Sequence, residues 1–150
     1  MKSIRHRARE FALQGLYQWF VAGGEAAGIA SQLRDARDFG QADDKLFTQI
    51  FLGAIAESDA LCAALTPLLD RPLAELSPVE RGVLLLGAYE LAHCPAVPYR
   101  VIINEAVELA KSFGGTDGHK YVNGVLNAIA PALRAGEVAS DRNRARAQSA

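Results

Sequence analysis

Cationic and aromatic side chains flank two adjacent glycines, Gly114 and Gly115, late in the chain. Lys111 and Phe113 come just before these glycines, and Lys120 and Tyr121 follow within a few residues. Ammonium groups attract phosphate, and aromatic rings stack on unpaired bases, which is how many proteins hold single-stranded RNA. The turn also exposes backbone N–H groups where the next helix begins, which favours an anion there. This stretch therefore predicts a binding site for a polyanion.

A second group of cations lies in the first ten residues. Lys2, Arg5, Arg7 and Arg9 are accompanied there by one acidic residue, Glu10. The whole chain carries a net charge of −1, so attraction to phosphate must come from such local groups. We expect this basic arm and the glycine turn to lie on the same surface of the molecule.

Nothing in the sequence predicts catalysis. His6, His93 and His119 have no metal-ligand spacing relative to one another or to Cys62 and Cys94. The chain lacks the GxSxG, GxxxxGK[ST] and GxGxxG motifs of serine nucleophiles and nucleotide-binding loops. We therefore expect a binding protein with no catalytic residue, no metal and no cofactor.

Composition predicts a helical protein of the cytoplasm. Half of the 150 residues are hydrophobic, and long periodic runs without Gly or Pro favour helix over strand. The two isolated cysteines are typical of buried thiols in a reducing compartment. No apolar run reaches the ~18 residues that a membrane span needs, and the N-terminus lacks the apolar core of a secretory signal.

Apolar spacing of three and four residues predicts a series of helices. One begins at Ile4 and ends at the following glycines, and a weaker one covers Glu25–Arg37. Asp43–Leu65 predicts one long helix or two joined near Ser58. In the first helix Tyr17 lies off the apolar stripe, so it is either half-covered where two helices meet or available to a ligand.

Two prolines mark a seam at residues 67–72 inside a single domain of residues 1–135. The seam divides that domain into halves of about 1–66 and 73–135. The last stretch, 136–150, has no apolar spacing, so it cannot bury enough surface to offset the entropy of ordering. We expect a disordered tail there.

Capping signals accompany the helices next to the candidate site. Ser77 and Glu80 have the spacing of a capping box, in which the serine caps the helix and the glutamate follows three residues later. We expect Gly114 and Gly115 to end a helix in the left-handed conformation and Thr116 or Asp117 to cap the next. On that last helix Asn123 points away from the apolar stripe.

The run NEAVELAKSFGGTDGHKYVNGVL at residues 104–126, with ALQGLYQ at residues 12–18, resembles the NusB family of bacterial transcription antitermination factors. The resemblance extends from about Arg5 to about Leu133. It implies an all-α fold of about seven helices in two packed halves. That fold agrees with the helices and the seam predicted above.

The resemblance also implies a noncatalytic RNA-binding function. Members of the family bind boxA-type single-stranded RNA of ribosomal RNA operon leaders together with NusE, a small ribosomal subunit protein. That pair joins the antitermination complex on RNA polymerase and suppresses premature termination. The implied partner contacts are Tyr17 and Glu80. Residue patterns and resemblance together give these candidate RNA contacts: Lys2, Arg5, Arg7, Arg9, Tyr17, Lys111, Phe113, Gly114, Asp117, Lys120, Tyr121 and Asn123.

Two other functions stay open at this point. The first is a protein–protein adaptor or homodimeric regulator that uses the same surface without binding RNA by itself. The second is the RNA-targeting domain of an RNA methyltransferase, since NusB-like domains occur fused to such enzymes. Against the second, no glycine-rich cofactor-binding segment follows Leu133.

Overall fold

The computed structural model describes residues 2–149, and this part of the chain contains eight α-helices and no strand. The predicted all-α class is confirmed, with one helix more than the resemblance implied. Short 3₁₀ segments occupy Phe39–Gln41, Thr66–Leu68 and Leu73–Glu75. The helices are α1 (Ile4–Ala22), α2 (Ala26–Arg34), α3 (Asp44–Ala56), α4 (Ser58–Leu65), α5 (Pro78–His93), α6 (Tyr99–Phe113), α7 (Gly118–Leu133) and α8 (Ala135–Ser149).

The predicted helical region at residues 43–65 consists of two helices, α3 and α4, which meet at Glu57. Asp43 begins α3, because its side chain accepts a hydrogen bond from the backbone N–H of Leu46 at 3.1 Å. Across residues 2–149 no single helix is long and apolar enough to cross a membrane. By length and composition, only α3 with the segment Ser58–Leu68 passes that test, and this pair is bent by 73°.

Helix α5 forms the centre of the hydrophobic core. Its residues from Gly82 to Leu91 are all buried, and α1, α3, α6 and α7 pack around it. A helix that is apolar on every side is stable only when other helices enclose it. Contact is very close where Gly53 of α3 meets Tyr89 of α5, since a Cβ at Gly53 would lie 2.3 Å from the tyrosine ring. Helices from before and after the seam thus share one core.

A buried arginine also holds the far end of α5. Arg134, at the end of α7, donates Nε to the carbonyl oxygen of Leu91 at 2.7 Å and Nη2 to that of Cys94 at 2.7 Å. The Leu91 carbonyl belongs to the last turn of α5 and the Cys94 carbonyl to the residue directly after it, and carbonyl oxygens at a helix end have no partner inside the helix. Arg134 therefore connects α7 to the C-terminus of α5.

The structure corrects the expectation of a disordered tail at 136–150, because residues 135–149 form α8. The helix has no apolar stripe, but Val138 is buried and two carboxylates attach the helix to the start of α6. Glu137 accepts a hydrogen bond from the backbone N–H of Tyr99 at 2.9 Å, and Asp141 accepts one from the Tyr99 hydroxyl at 2.8 Å. Ala150, the last residue of the expected tail, lies outside the described residues.

Candidate nucleic-acid interface

A groove of about 510 Å³ lies between the N-terminal part of α1, the loop after α2 and the adjoining ends of α5 and α6. We call it the α1–α6 groove. It brings Lys2 and Arg7 of the basic arm to one surface with Phe113 at the end of α6. Its polar lining residues are Lys2, Arg7, Glu10, Gln14 and Asp38, and its apolar and aromatic ones are Phe11, Leu13, Tyr17, Ala36, Val79 and Phe113.

Two aromatic rings in the α1–α6 groove are available to a ligand. Phe113 is 50% exposed at the end of α6, and Tyr17 is 47% exposed on α1. Large apolar rings are ordinarily buried, so two half-exposed rings in one groove indicate a binding surface. Both belong to the predicted RNA contacts, and their position allows stacking on unpaired bases.

The two cations of the groove differ in their partners. Lys2 contacts Glu10, with 2.7 Å between Nζ and Oε2. Within residues 2–149, Arg7 forms no ion pair, although Glu10 lines the same groove. Arg7 is therefore the more available phosphate partner, because Lys2 must first exchange its carboxylate for the ligand.

Arg9 was predicted to contact phosphate, and the structure corrects this prediction. Its side chain is 3% exposed, and it donates Nε and Nη2 to the two carboxylate oxygens of Glu90 at 2.9 and 2.8 Å. Burial alone would lower the pKa of Arg9, but the hydrogen bonds and charge of Glu90 raise it above its usual value. This guanidinium joins α1 to α5 and is not accessible to RNA.

Arg5 also faces away from the α1–α6 groove. It lines a second groove of about 420 Å³ together with Lys45 of α3 and His93 at the end of α5. The side chains of the basic arm thus separate onto different sides of α1. Lys2 and Arg7 are the two that share a groove with Tyr17 and Phe113.

The glycine turn has a different conformation from the one expected. Gly114 has φ −100° and ψ −175°, which is extended backbone, so the left-handed prediction is wrong. Glycine is needed there for space, because a Cβ would lie 2.7 Å from the carbonyl oxygen of Ala110. The Gly114 N–H donates to that same oxygen at 2.8 Å, which ends α6.

Asp117 precedes α7, but it does not cap the helix through its side chain, so that expectation is corrected as well. Its carboxylate lies 3.3 Å from Nζ of Lys120, and both side chains are more than 70% exposed. An exposed pair of this kind contributes little to stability. Both groups therefore remain exchangeable for a ligand.

Tyr121 is occupied by contacts within the protein. Its hydroxyl donates to Oδ1 of Asp70 at 3.0 Å and accepts from the Asp70 N–H at 3.2 Å, and the Arg71 guanidinium lies 5.8 Å from the ring centre. Burial and the neighbouring Asp70 raise the pKa of Tyr121. The ring therefore attaches α7 to the seam, and stacking on a base would require Arg71 to move.

Lys111 and Asn123, two further predicted RNA contacts, are exposed but do not line the α1–α6 groove. Lys111 lies 3.8 Å from the carboxylate of Glu108 one turn earlier. The amide of Asn127 donates to both oxygens of Asn123, at 2.9 Å to the backbone and 3.1 Å to the side chain.

Glu80, the predicted partner contact, lies where the first turns of α5 and α7 meet. Ser77 accepts a hydrogen bond from the Glu80 N–H at 3.2 Å, which confirms the serine half of the capping box. The Glu80 carboxylate lies against Gly118, where a Cβ would be 2.7 Å from Oε1. Glu80 thus connects the start of α5 to the glycine turn.

Sequence reasoning assigned no ligand contact to seven residues of the α1–α6 groove, namely Glu10, Phe11, Leu13, Gln14, Ala36, Asp38 and Val79. Gln14 could have been found, because it follows Arg7 by two helical turns and precedes Tyr17 by one. Asp38 lies in a loop that reaches the groove through long-range packing, and no local pattern marks it.

A family model described as the NusB family matches residues 6–131. Among curated proteins, the chain is 57% identical over 141 residues to the transcription antitermination protein NusB of Ralstonia pickettii, covering 94% of this chain and 91% of that protein. It is 52% identical over 144 residues to the protein of the same name from Thiobacillus denitrificans, covering 96% and 99%.

Solved structures have the same fold. NusB of T. maritima superposes with a TM-score of 0.76 at 30% identity, over 87% of this chain and 92% of that one. A structure of the antitermination factors NusB and NusE in complex with double-stranded RNA gives a TM-score of 0.77 over 88% and 99%. At 24% identity, this second likeness is evidence of the fold alone.

Proposed function

The chain belongs to the NusB family, and from that premise we propose that it is a noncatalytic transcription antitermination factor of the cytoplasm. In this proposal it binds boxA-type single-stranded RNA together with a NusE-like ribosomal protein and joins the antitermination complex on RNA polymerase. The names of the relatives above support the antitermination role. RNA and NusE are components of the related complex described above.

The observation that carries the proposal is the content of the α1–α6 groove. It combines an arginine without an ion pair in the described part of the chain, a lysine and two half-exposed aromatic rings. Cations that follow a sugar–phosphate backbone, combined with rings that stack on bases, are the usual components of single-strand recognition. In this arrangement Arg7 and Lys2 hold phosphates, while Phe113 and Tyr17 stack on bases.

The partner contact is proposed at the margin of the same groove. Tyr17 lines the groove, and Val79, which also lines it, directly precedes Glu80. A ribosomal protein bound to Tyr17 and Glu80 would therefore lie beside the RNA and extend the contact surface. Affinity for RNA should then be modest for the chain alone and higher in the ternary complex.

A gel-shift titration with boxA-type RNA tests the proposal, with and without purified NusE. The double variant Arg7→Glu/Phe113→Ala should lose at least about tenfold in affinity, since stacking alone contributes about 1–3 kcal/mol per base. Its salt dependence should also flatten, because log K falls by about 0.7 per neutralised phosphate for each unit of log salt.

Arg142→Glu is the matched control, since Arg142 is an exposed cation on α8 outside the groove. Equal losses in the control and the groove variant would indicate nonspecific charge attraction and refute the groove. If no RNA bound and light scattering showed a dimer, the adaptor function would replace this proposal.

A further inference from the structure

We propose that the α1–α6 groove selects one unpaired guanine base, with Asp38 and Gln14 as the residues that read its edge. This inference rests on the proposed RNA binding and adds which base the groove takes. It concerns two side chains that neither the residue patterns nor the family resemblance selected.

The volume and the lining of the groove are sufficient to admit an unpaired base. Its volume of about 510 Å³ lies within the range of about 300–1,000 Å³ found for small-molecule sites. Phe11, Leu13 and Val79 contribute apolar surface, and Phe113 and Tyr17 contribute exposed rings. A base that leaves its own stack can recover stacking energy on such rings.

Two polar side chains in the groove have hydrogen-bonding groups without a partner in the described part of the chain. Asp38 and Gln14 are both exposed, and neither side chain has a hydrogen bond or ion pair to any residue between 2 and 149. Asp38 contributes a bond only through its backbone oxygen, which accepts from the Gln41 N–H at 3.1 Å. Glu10, the other acid of the groove, is already paired with Lys2.

Asp38 is held at the groove by its neighbour in the chain. Phe39 is 7% exposed, and its ring packs edge-on against Phe11 at 5.0 Å and Phe47 at 5.1 Å. Phe11 also lines the groove, so the same aromatic contact that anchors the loop positions Asp38 beside the apolar surface. A loop that is already held in place loses less entropy on binding than a mobile loop.

The chemistry of a carboxylate points to guanine. An ionised Asp38 can only accept hydrogen bonds. The Watson–Crick edge of guanine presents two adjacent donors, N1–H and the N2 amino group, which a carboxylate can accept together. Adenine and cytosine place an acceptor beside their single amino group, and uracil places one on each side of N3–H. The amide of Gln14 can donate to the remaining guanine acceptor, O6.

Because Asp38 is negatively charged, its contact should discriminate between bases more than it raises the affinity for RNA. A carboxylate repels nearby phosphates, and Arg7 in the same groove offsets that repulsion. A guanine donates two hydrogen bonds to the Asp38 carboxylate, and Arg7 still offsets the repulsion between that carboxylate and the phosphates. Any other base places a hydrogen-bond acceptor against the carboxylate. Such unpaired or repelling groups are how binding sites reject wrong ligands.

The test is fluorescence anisotropy with oligouridylates of one length that carry a single guanosine, adenosine or inosine at the same position. The chain should bind the guanosine oligomer about tenfold more tightly than the adenosine one, as for other bidentate base contacts. Inosine should give an intermediate affinity, because it keeps N1–H but lacks the N2 amino group. Asp38→Asn should bring the guanosine and adenosine affinities to within about twofold.

Asp35→Asn is the matched control, since Asp35 is an exposed acid three residues earlier that does not line the groove. It removes the same charge and should leave the guanosine preference unchanged. Equal affinities for all oligomers, or the same loss of preference in both variants, would overturn the guanine site while leaving RNA binding intact. Failure to bind any oligomer while boxA-type RNA still binds in the gel shift would overturn the guanine site alone, and failure to bind either RNA would overturn the proposed function as well.

Discussion

Arg5, Arg7 and Arg9 lie close together on α1, yet each has a different environment. Arg7 faces the α1–α6 groove, Arg5 lines the groove on the α3 side, and Arg9 is buried against Glu90. The helical repeat places consecutive residues about 100° apart, so alternate residues face different sides. A cluster of arginines in a sequence is therefore not one binding surface.

Replacement of Arg9 should destabilise the fold. Arg9→Ala would leave the Glu90 carboxylate buried without its partner, so the free energy of unfolding should fall by about 3–5 kcal/mol. Arg5→Ala, at an exposed position on the same helix, should change it by no more than about 0.5 kcal/mol. Urea denaturation of both variants measures the difference, and equal small effects would show that the ion pair is not required.

Sequence reasoning could not distinguish Arg9 from Arg7, because the partner that buries Arg9 is 81 positions away along the chain. The exposure of Tyr17 was more accessible to prediction, since it lies off the apolar stripe of its own helix. The exposure of Phe113, by contrast, could not be predicted from the sequence. This residue ends an apolar stripe, and only the structure shows that its ring is half-exposed at the last residue of α6.

The positions of the helices could be predicted from apolar periodicity, but the way each helix ends could be predicted only in part. Ser77 caps α5 as its spacing predicts, whereas Asp117 does not cap α7 with its side chain. Gly114 is required by the nearby Ala110 carbonyl and not by a left-handed backbone. A residue type suggests that a helix ends, but neighbouring atoms decide how it ends.

Helix α8 was missed because polar contacts at the start of α6 hold it. These contacts should weaken in acid. The Tyr99 hydroxyl and Arg100 lower the pKa of Asp141, and the Tyr99 backbone N–H, together with Arg134, lowers that of Glu137. A carboxyl group whose pKa is lower in the folded state than in the unfolded state stabilises the fold. This contribution is complete above the unfolded-state pKa of about 4, and it is lost as the pH falls through the folded-state pKa.

The docking of α8 should therefore be intact between pH 5 and pH 7 and should weaken below about pH 4. Amide hydrogen exchange, corrected for the intrinsic rate at each pH, measures this as faster exchange in α8 at pH 3. Amides of the buried helix α5 serve as the internal reference. An unchanged ratio of α8 to α5 protection across this pH range would contradict the role of the two carboxylates.

In the whole molecule, the two grooves meet opposite ends of the central helix α5. Val79, in its first turn, lines the α1–α6 groove, and His93, at its last residue, lines the groove that contains Arg5 and Lys45. At 1.5 Å per residue, the 16 residues of α5 place these ends roughly 20 Å apart. A short RNA strand that occupies one groove should leave the other unaffected.

An NMR titration shows directly whether RNA binds in the α1–α6 groove. Single-stranded boxA-type RNA is added to the ¹⁵N-labelled protein, and amide shifts are followed along the chain. We expect the largest changes around Arg7, Tyr17 and Phe113, with little change at Lys45 and His93. Changes concentrated at Lys45 and His93, with the α1–α6 groove unaffected, would contradict RNA binding in that groove.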